Sequence, residues 1–211
     1  MKNSDKRINN KYIFLKFYLL LIIIVLMISS GCKKDIKGCT NSKATNYNSK
    51  ANQDDGSCTY LSIGQIYEGG TIFYIDDSGL HGLIAPSNDQ GSGIPWDNGQ
   101  SLATLASGTG MGTGKSNTNK IVAAQAAGNY AAYMCDTLTL NGYTDWFLPS
   151  KDELNQLYQQ NLAGVVAGFA NDVYWSSSEN SNYTAWSLNF AGGFINDEKT
   201  TPHCVRAIRA F

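Results

Sequence analysis

A glycine-rich segment that ends in a lysine and a serine has the residue types of a phosphate-binding loop. It reads "SGTGMGTGKSN" and spans residues 107–117. A P-loop has the spacing G-x-x-x-x-G-K-[ST], because that spacing aims successive backbone N–H groups at the phosphates. Gly114-Lys115-Ser116 would close the motif, but Thr109 stands where its first glycine belongs. The segment is therefore predicted to be a solvated loop before a helix, and a nucleotide is not an expected partner.

A run of three serines, Ser176 to Ser178, is the other place where a nucleophile could lie. A catalytic serine needs a strained elbow of the G-x-S-x-G type and a base positioned beside it. The sequence has no such elbow, and neither of its histidines, His81 and His203, lies in a recognisable catalytic motif. The chain is therefore predicted not to be an enzyme.

The N-terminus has the pattern of a secretory signal. Five basic residues precede a twelve-residue apolar run, residues 17–28, which is shorter than the roughly 20 residues of a transmembrane helix. The sequence Ser30-Gly31-Cys32 is similar to the lipobox of bacterial lipoproteins, although Ser29 stands where leucine is usual. We therefore expect residues 1–31 to be removed and Cys32 to carry lipid. The alternative is an ordinary signal peptide with an incidental cysteine.

The residues after the predicted cleavage site indicate where the protein is located, and their net charge indicates which partners are not expected. Residues 32–37 form a short polar tether, and the "KKD" after Cys32 resembles a surface-export signal. The prediction is an outer-membrane lipoprotein on the cell surface. Removing 5 basic and 1 acidic residues from totals of 16 and 17 leaves a net charge of −5. An acidic protein without a basic stripe is not expected to bind nucleic acid.

Four cysteines remain after Cys32, an even number in an oxidising compartment, and four cysteines allow three connectivities. Cys39 and Cys58 bracket one short motif, so we pair them, which leaves Cys135 to pair with Cys204. Metal binding is the rival interpretation. It is weak, because the sequence has no C-x-x-C and only two histidines.

Residues 38–60 resemble a small disulfide-closed module with the pattern C-T-x-x-x-A-x-N-Y…D-D-G-S-C, which is found in secreted bacterial proteins. So short a segment cannot build an apolar core, and the disulfide must hold it. Asp54 and Asp55 raise the possibility of calcium. An EF-type loop would need oxygen ligands at 51, 53 and 55, and Ala51 breaks that pattern. The hydrogen bonds that aspartate makes in turns explain the acidic residues equally well. No metal or other cofactor is therefore predicted. Calcium is kept as an option that the motif does not support.

Residues 61–211 have the length of one ordinary domain. Its first part predicts two strands, 71–76 and 81–86, around a Gly-containing turn. A helix is expected over 117–138, and a second begins at Ser150, where Glu153 completes a capping box. Short aromatic segments after residue 172 predict antiparallel strands. The fold class is therefore α+β.

Three C-terminal motifs, "NGYTDWFLPSKDELNQLY", "YWSSSE" and "VRAIRAF", are strongly similar to the Lcl C-terminal domain family, and "IGQIYEGGTIFYID" resembles its beginning. The resemblance covers residues 62–211. It implies a C-type-lectin-like fold with two helices, two small antiparallel sheets and a disulfide from the first helix to the last strand, which Cys135 and Cys204 would supply. It also implies a relationship to bacterial adhesins that bind glycans. Some related lectin-like domains have C-terminal strands that are diversified at asparagine codons by a retroelement. The E-P-N, Q-P-D and W-N-D motifs of calcium lectins are missing.

Aromatic and amide side chains concentrate in the C-terminal strands. Aromatic faces stack on sugar rings or peptides, and amides bond hydroxyl groups, so such side chains form adaptable binding surfaces. Because side chains alternate between the two faces of a strand, Trp186, Leu188 and Phe190 are expected on one buried face. The candidate ligand-binding residues are Asn180, Asn182, Tyr183, Asn189, Phe194 and Asn196.

The leading hypothesis is a non-catalytic, surface-anchored lipoprotein whose lectin-like domain binds a glycan or a protein. A structural or accessory role in a cell-envelope assembly is the alternative. An enzyme related to the oxidase that makes formylglycine ranks last, because that chemistry needs a reactive cysteine pair.

Replacing Cys32 by serine removes the predicted site of acylation. Since several acyl chains on one residue anchor a protein stably, we expect wild type in the membrane fraction and Cys32→Ser in the soluble fraction, as measured by fractionation and immunoblotting. Cys135→Ser, the same change elsewhere, should stay with the membrane. An unchanged distribution of Cys32→Ser would refute the lipoprotein hypothesis.

Overall fold

A computed structural model of the chain describes residues 16–18 and 34–211. Cys32 and most of the predicted signal segment lie outside the described residues, so lipidation and cleavage stay predictions. Among the described helices, none combines the length and apolar character needed to cross a bilayer.

Residues 34–211 contain three helices and nine strands, and the strands form two sheets. The first sheet has the order β1-β2-β3-β9 and the second β4-β8-β5-β6-β7. The strands are β1 Ile66–Tyr67, β2 Gly70–Ile75, β3 Gly82–Ala85, β4 Gly91–Ile94, β5 Val173–Glu179, β6 Thr184–Asn189, β7 Gly193–Glu198, β8 His203–Val205 and β9 Arg209–Ala210. The helices are α1 Gly114–Gln125, α2 Ala131–Asp136 and α3 Lys151–Leu162. The α+β class is confirmed.

The predicted β2–β3 hairpin forms within a residue or two of its expected bounds. Thr71 pairs with Ala85 and Ile75 with Gly82 in antiparallel register. The second sheet departs from expectation in one pair, because β5 and β8 run parallel where Tyr174 meets Cys204. This follows from the path of the chain, which passes from β7 across the sheet to the far side of β5.

The single helix expected over 117–138 is two helices. α1 begins at Gly114 and ends at Gln125, because the next residue, Ala126, has a φ of 58°, in the left-handed region that a helix cannot continue through. The Tyr130 hydroxyl then donates to the Ala126 carbonyl at 2.5 Å, and α2 starts at the next residue. The break turns the chain so that the Ala131 N–H donates to the Pro95 carbonyl at 2.9 Å.

The capping box that begins α3 is confirmed. The Ser150 hydroxyl accepts from the Glu153 N–H at 3.3 Å, and the Glu153 carboxylate accepts from the Ser150 N–H at 2.7 Å. Leu154 and Leu157 are buried behind the cap, so one face of the helix packs on the core.

Two arginines near the C-terminus are buried and paired with acids that lie in connecting segments. Arg206 donates to Asp89 at 2.7 Å, and its guanidinium lies 3.8 Å from the centre of the Phe169 ring. Arg209 contacts Asp145 and also Glu68, the latter at 3.0 Å. These pairs fix the loops around the last strands.

The N-terminal module has its predicted Cys39–Cys58 disulfide. Asp54 and Asp55 accept hydrogen bonds from the backbone N–H groups of Gly56 and Ser57 at 3.1 and 3.0 Å, which is the turn chemistry that such residues provide. Within residues 16–18 and 34–211, no group of three or more His, Cys, Asp or Glu side chains could hold a metal ion.

The predicted Cys135–Cys204 disulfide is wrong. Both thiols are free and buried in different clusters of the core. Cys135 packs with residues such as Ile121 in the main cluster, whereas Cys204 packs with Tyr174 and Leu188. Side chains alternate along a strand; Val205 takes the inner face of β8, and Cys204 points to the opposite one.

These thiols should resist alkylation in the folded protein. Burial raises the pKa of Cys135, and it raises the pKa of Cys204 to about 11, so both stay protonated at pH 8. We expect iodoacetamide to label neither natively and both after denaturation without reductant, as measured by mass spectrometry. Peptide mapping without reductant should link Cys39 to Cys58; a Cys135–Cys204 peptide would instead restore the pairing inferred from sequence.

Candidate functional site

The glycine-rich loop before α1 binds a carboxylate of its own chain. Glu153 is fully buried, and its carboxylate accepts from the backbone N–H of Gly112 at 2.8 Å. A side chain at Gly114 would collide with the same carboxylate, so the loop needs glycine there. Burial raises the pKa of Glu153, while the N–H donors of Ser150, Gly112 and Gly114 act in the opposite direction. Glu153 therefore accepts from some of the backbone N–H groups that the loop could offer to an anion.

A buried ion pair holds the irregular segment that follows β4. Lys199 is 1% exposed, and its Nζ lies 2.5 Å from Glu179 Oε1 and 4.5 Å from the centre of the Trp96 ring. The ammonium also donates to the Leu102 carbonyl at 2.9 Å. The Glu179 carboxylate accepts from the N–H groups of Thr104 and Leu105, each at 2.9 Å. One ion pair thus fixes residues 102–105 without a helix or strand.

Leu105 is held in an unfavourable conformation with its side chain in solvent. Its φ is 59°, in the left-handed region that leucine rarely adopts, and 73% of the residue is exposed. Its carbonyl accepts from Lys120 Nζ at 3.1 Å, and the next residue, Ala106, accepts from the Glu179 N–H at 2.9 Å. Strained residues of this kind concentrate where a protein binds or reacts.

The β5–β6 turn presents three of the predicted ligand-binding residues. Asn180, Asn182 and Tyr183 are exposed, Tyr183 to 68%. The turn is ordered by its own side chains, since Asn180 Nδ2 donates to Thr184 Oγ1 at 3.1 Å and the Ser181 hydroxyl lies 2.8 Å from the same oxygen.

Lys199 joins this turn to the segment around Leu105. Its backbone N–H donates to the Tyr183 carbonyl at 2.9 Å, while its ammonium reaches the Leu102 carbonyl. Leu102 is exposed as well. We call the exposed side chains on the two segments the loop–turn surface; its members are Leu102, Leu105, Asn180, Asn182 and Tyr183.

The other predicted ligand residues lie elsewhere. Asn189 accepts from the Ala191 N–H at 2.7 Å and orders the β6–β7 turn, at the opposite end of β6. Phe194 and Asn196 lie on the sheet face that Lys151 covers, where the ammonium is 4.9 Å from the centre of the Phe194 ring. The six residues therefore divide into three groups.

The serine run is structural. All three serines are buried; the Ser176 hydroxyl donates to the Trp186 carbonyl at 2.6 Å and the Ser178 hydroxyl to the Gly108 carbonyl at 2.7 Å. Ser177 Oγ accepts from Asn117 Nδ2 at 3.4 Å. Each hydroxyl thus has a partner within the fold, and none has a histidine as that partner.

Sequence reasoning missed four residues that build the loop–turn surface: Leu102, Leu105, Glu179 and Lys199. The two leucines lie in "SLATLAS", which has no helical or strand period, and leucine is ordinarily a core residue. The contacts that expose them join residues 74 and 97 positions apart. The sequence carries no local signal for such a contact.

The sequence profile of the Lcl C-terminal domain family matches residues 87–209. The matched range contains both segments of the loop–turn surface and begins after β3. Comparison with curated proteins gives no match.

Breaking the buried ion pair should destabilise the whole fold. Lys199→Met would leave the Glu179 carboxylate buried without its cation, and we expect a loss of about 3 kcal/mol in the free energy of unfolding, as measured by urea denaturation. Lys199→Met/Glu179→Gln should lose less than the sum of the two single changes.

The control is Lys115→Met, since Lys115 forms a more exposed pair with Asp136 at 3.6 Å. That variant should stay within about 0.5 kcal/mol of wild type. Equal losses for Lys115→Met and Lys199→Met would contradict the role given to the buried pair.

Proposed function

The chain belongs to the Lcl C-terminal domain family, and on that premise we propose that it is a non-catalytic, surface-anchored lipoprotein that binds a glycan through the loop–turn surface. The observation that carries the proposal is the exposed, ordered arrangement of Tyr183 beside Asn180 and Asn182. An aromatic ring offers a stacking face to a sugar ring, and the amides offer donors and acceptors to its hydroxyl groups.

Order in the free protein supports this role. Binding costs less when the receptor side chains need not be immobilised. The hydrogen bonds of the β5–β6 turn and the Lys199–Glu179 pair hold both segments in place. The loop–turn surface is thus ordered before any ligand binds.

Anchoring at Cys32 on the outside of the outer membrane is part of the proposal and rests on the sequence alone. It would present the lectin-like domain to the medium, where glycans of a host or a matrix are found. Binding without calcium is expected, because the calcium-lectin motifs are missing from the sequence.

The two exposed leucines favour a second candidate, a protein partner in an envelope assembly. Leu102 and Leu105 are exposed on the segment whose backbone Lys199 and Glu179 hold by hydrogen bonds, and neither side chain offers the flat ring face on which a sugar stacks. A protein partner would bury both leucines.

A formylglycine-oxidase-like activity has less support. It would need a reactive pair of cysteines, and Cys135 and Cys204 lie in separate core clusters with raised pKa values.

A glycan-array screen of the full-length protein, with and without EDTA, tests the proposal. We expect chelator-insensitive binding that Tyr183→Ala weakens on the order of tenfold or more, since truncating an aromatic hot spot costs about 2 kcal/mol. Tyr47→Ala, which removes a half-exposed tyrosine from the N-terminal module, is the matched control and should bind like wild type.

Leu105→Ser separates the two candidates. If the partner is a protein, this variant should lose capture of that protein from intact cells while the array stays blank. Glycan binding that survives Tyr183→Ala, or that EDTA abolishes, would refute the proposed site.

A further inference from the structure

Strand β7 forms an open edge of the second sheet. It stands at one end of the strand order, and it pairs with β6 in an unbroken antiparallel register from Gly193 to Glu198. The other edges among the described strands are short or irregular. β1 and β9 have two residues each, and the register of β4 with β8 shifts. Among the described strands, β7 is therefore the longest regular edge.

The outer side of β7 carries backbone groups without a backbone partner. Opposite residues in an antiparallel pair alternate between hydrogen-bonded and non-hydrogen-bonded positions. The Lys199 N–H donates to the Tyr183 carbonyl at 2.9 Å, so that position is hydrogen-bonded. Counting back along the register, Ile195 directs its backbone groups at β6, whereas Phe194 and Asn196 direct theirs away from it. No backbone–backbone hydrogen bond within residues 34–211 uses these outward groups.

The free part of the edge is central and unprotected. At its end, the Glu198 N–H donates to the Asp197 carboxylate at 3.1 Å, and the Glu198 carbonyl accepts from the Thr201 N–H at 2.8 Å. The free part therefore centres on Ile195, which is 39% exposed. Proteins usually protect an edge with proline, lysine or a bulge, and β7 has none of these.

The residues of this edge are complementary to a second copy of themselves. With a two-fold axis at Ile195, antiparallel pairing sets Phe194 opposite Asn196 of the second copy, and both present outward backbone groups. Ile195 then faces its own copy at the non-hydrogen-bonded position between them, where side chains approach most closely. Moving the axis to Asn196 would set Ile195 opposite Asp197 and lose this apolar contact.

The charges of β7 also fit a second copy. Asp197 and Glu198 lie together at one end of the strand. The axis at Ile195 sets them opposite Gly193 and Gly192 of the second copy. Like charges that face each other across a strand pair are destabilising, and this register opposes none.

We propose that two copies of the chain pair through β7 and form one continuous sheet across a two-fold axis. Each hydrogen-bonded pair exchanges two backbone bonds, and the axis generates the pair of Phe194 with Asn196 twice. An interface of one strand pair is small beside that of an obligate dimer, so association depends on protein concentration. The pairing uses none of the residues of the loop–turn surface, so this proposal and the proposed glycan site can fail separately.

Disulfide cross-linking of the full-length protein in intact cells tests the pairing. Ile195→Cys sets a thiol opposite its own copy, because Cα atoms at a non-hydrogen-bonded position are about 4.5 Å apart, a separation that a disulfide spans. With diamide as the oxidant, we expect a band of twice the chain mass on a non-reducing immunoblot, and reductant should remove it. Leu162→Cys, at a leucine that is 62% exposed on α3, is the matched control. It should give at least tenfold less dimer, and so should the wild type.

Asn196→Pro is the variant that should break the pairing and spare the fold. Proline lacks the N–H group, and at this position that group points away from β6, as it does where sheets tolerate proline at their edges. In the Ile195→Cys protein, Asn196→Pro should reduce the cross-linked dimer at least tenfold.

Hydrogen exchange provides a second measurement on the wild type if Asn196→Pro does not fold. In the purified full-length protein, the amides of Phe194 and Asn196 should exchange more slowly at high than at low protein concentration. The Ile195 amide is directed at β6, so its exchange should not follow the pairing and serves as an internal control.

Three results would overturn the proposal. Ile195→Cys could give no more dimer than Leu162→Cys, or its dimer could survive Asn196→Pro in a folded protein. The exchange of the Phe194 and Asn196 amides could also be independent of concentration. A cross-link to a protein of another mass, without the dimer, would overturn the proposal in favour of a strand from a different protein.

Discussion

The buried pair of Lys199 and Glu179 is the interaction on which the loop–turn surface depends. Removing two charges from water is expensive, and a buried pair stabilises a fold only if its remaining donors and acceptors are satisfied. Here the ammonium also reaches a carbonyl and an aromatic ring, and the carboxylate accepts from two backbone N–H groups. The pair thus serves as the hydrogen-bonding framework for a segment that has no helix or strand.

The same principle explains the glycine-rich loop. Backbone N–H groups that point inward must find an acceptor, and a phosphate is only one of the anions that can supply it. In this fold Glu153 supplies it from the first turn of α3, and so joins the loop to the capping box. The loop therefore acts in part as a structural clamp, because this acceptor lies within the chain.

A feature could be predicted from the sequence when the residues that determine it are close together along the chain. The capping box at Ser150 and the β2–β3 hairpin are local patterns, and both were predicted correctly. The free state of Cys135, the break at Ala126 and the parallel contact of β5 with β8 depend on distant segments, and all three were mispredicted. The loop–turn surface lies between these cases: Tyr183 could be recognised from its type and turn context, whereas the exposure of Leu105 follows from a contact with Glu179 that no local pattern encodes.

Backbone strain adds a physical reason to connect the loop–turn surface with the proposed function. Four non-glycine residues in the described part have positive φ, and one of them, Leu105, belongs to the loop–turn surface. Each such residue costs about 1–3 kcal/mol and persists only where its surroundings determine it fully. Helix α1 supports this position, since Lys120 on the helix donates to the Leu105 carbonyl. Glycine would adopt the backbone conformation of Leu105 without that cost, so leucine at this position lowers stability, and the proposed binding role of the loop–turn surface supplies a reason for it.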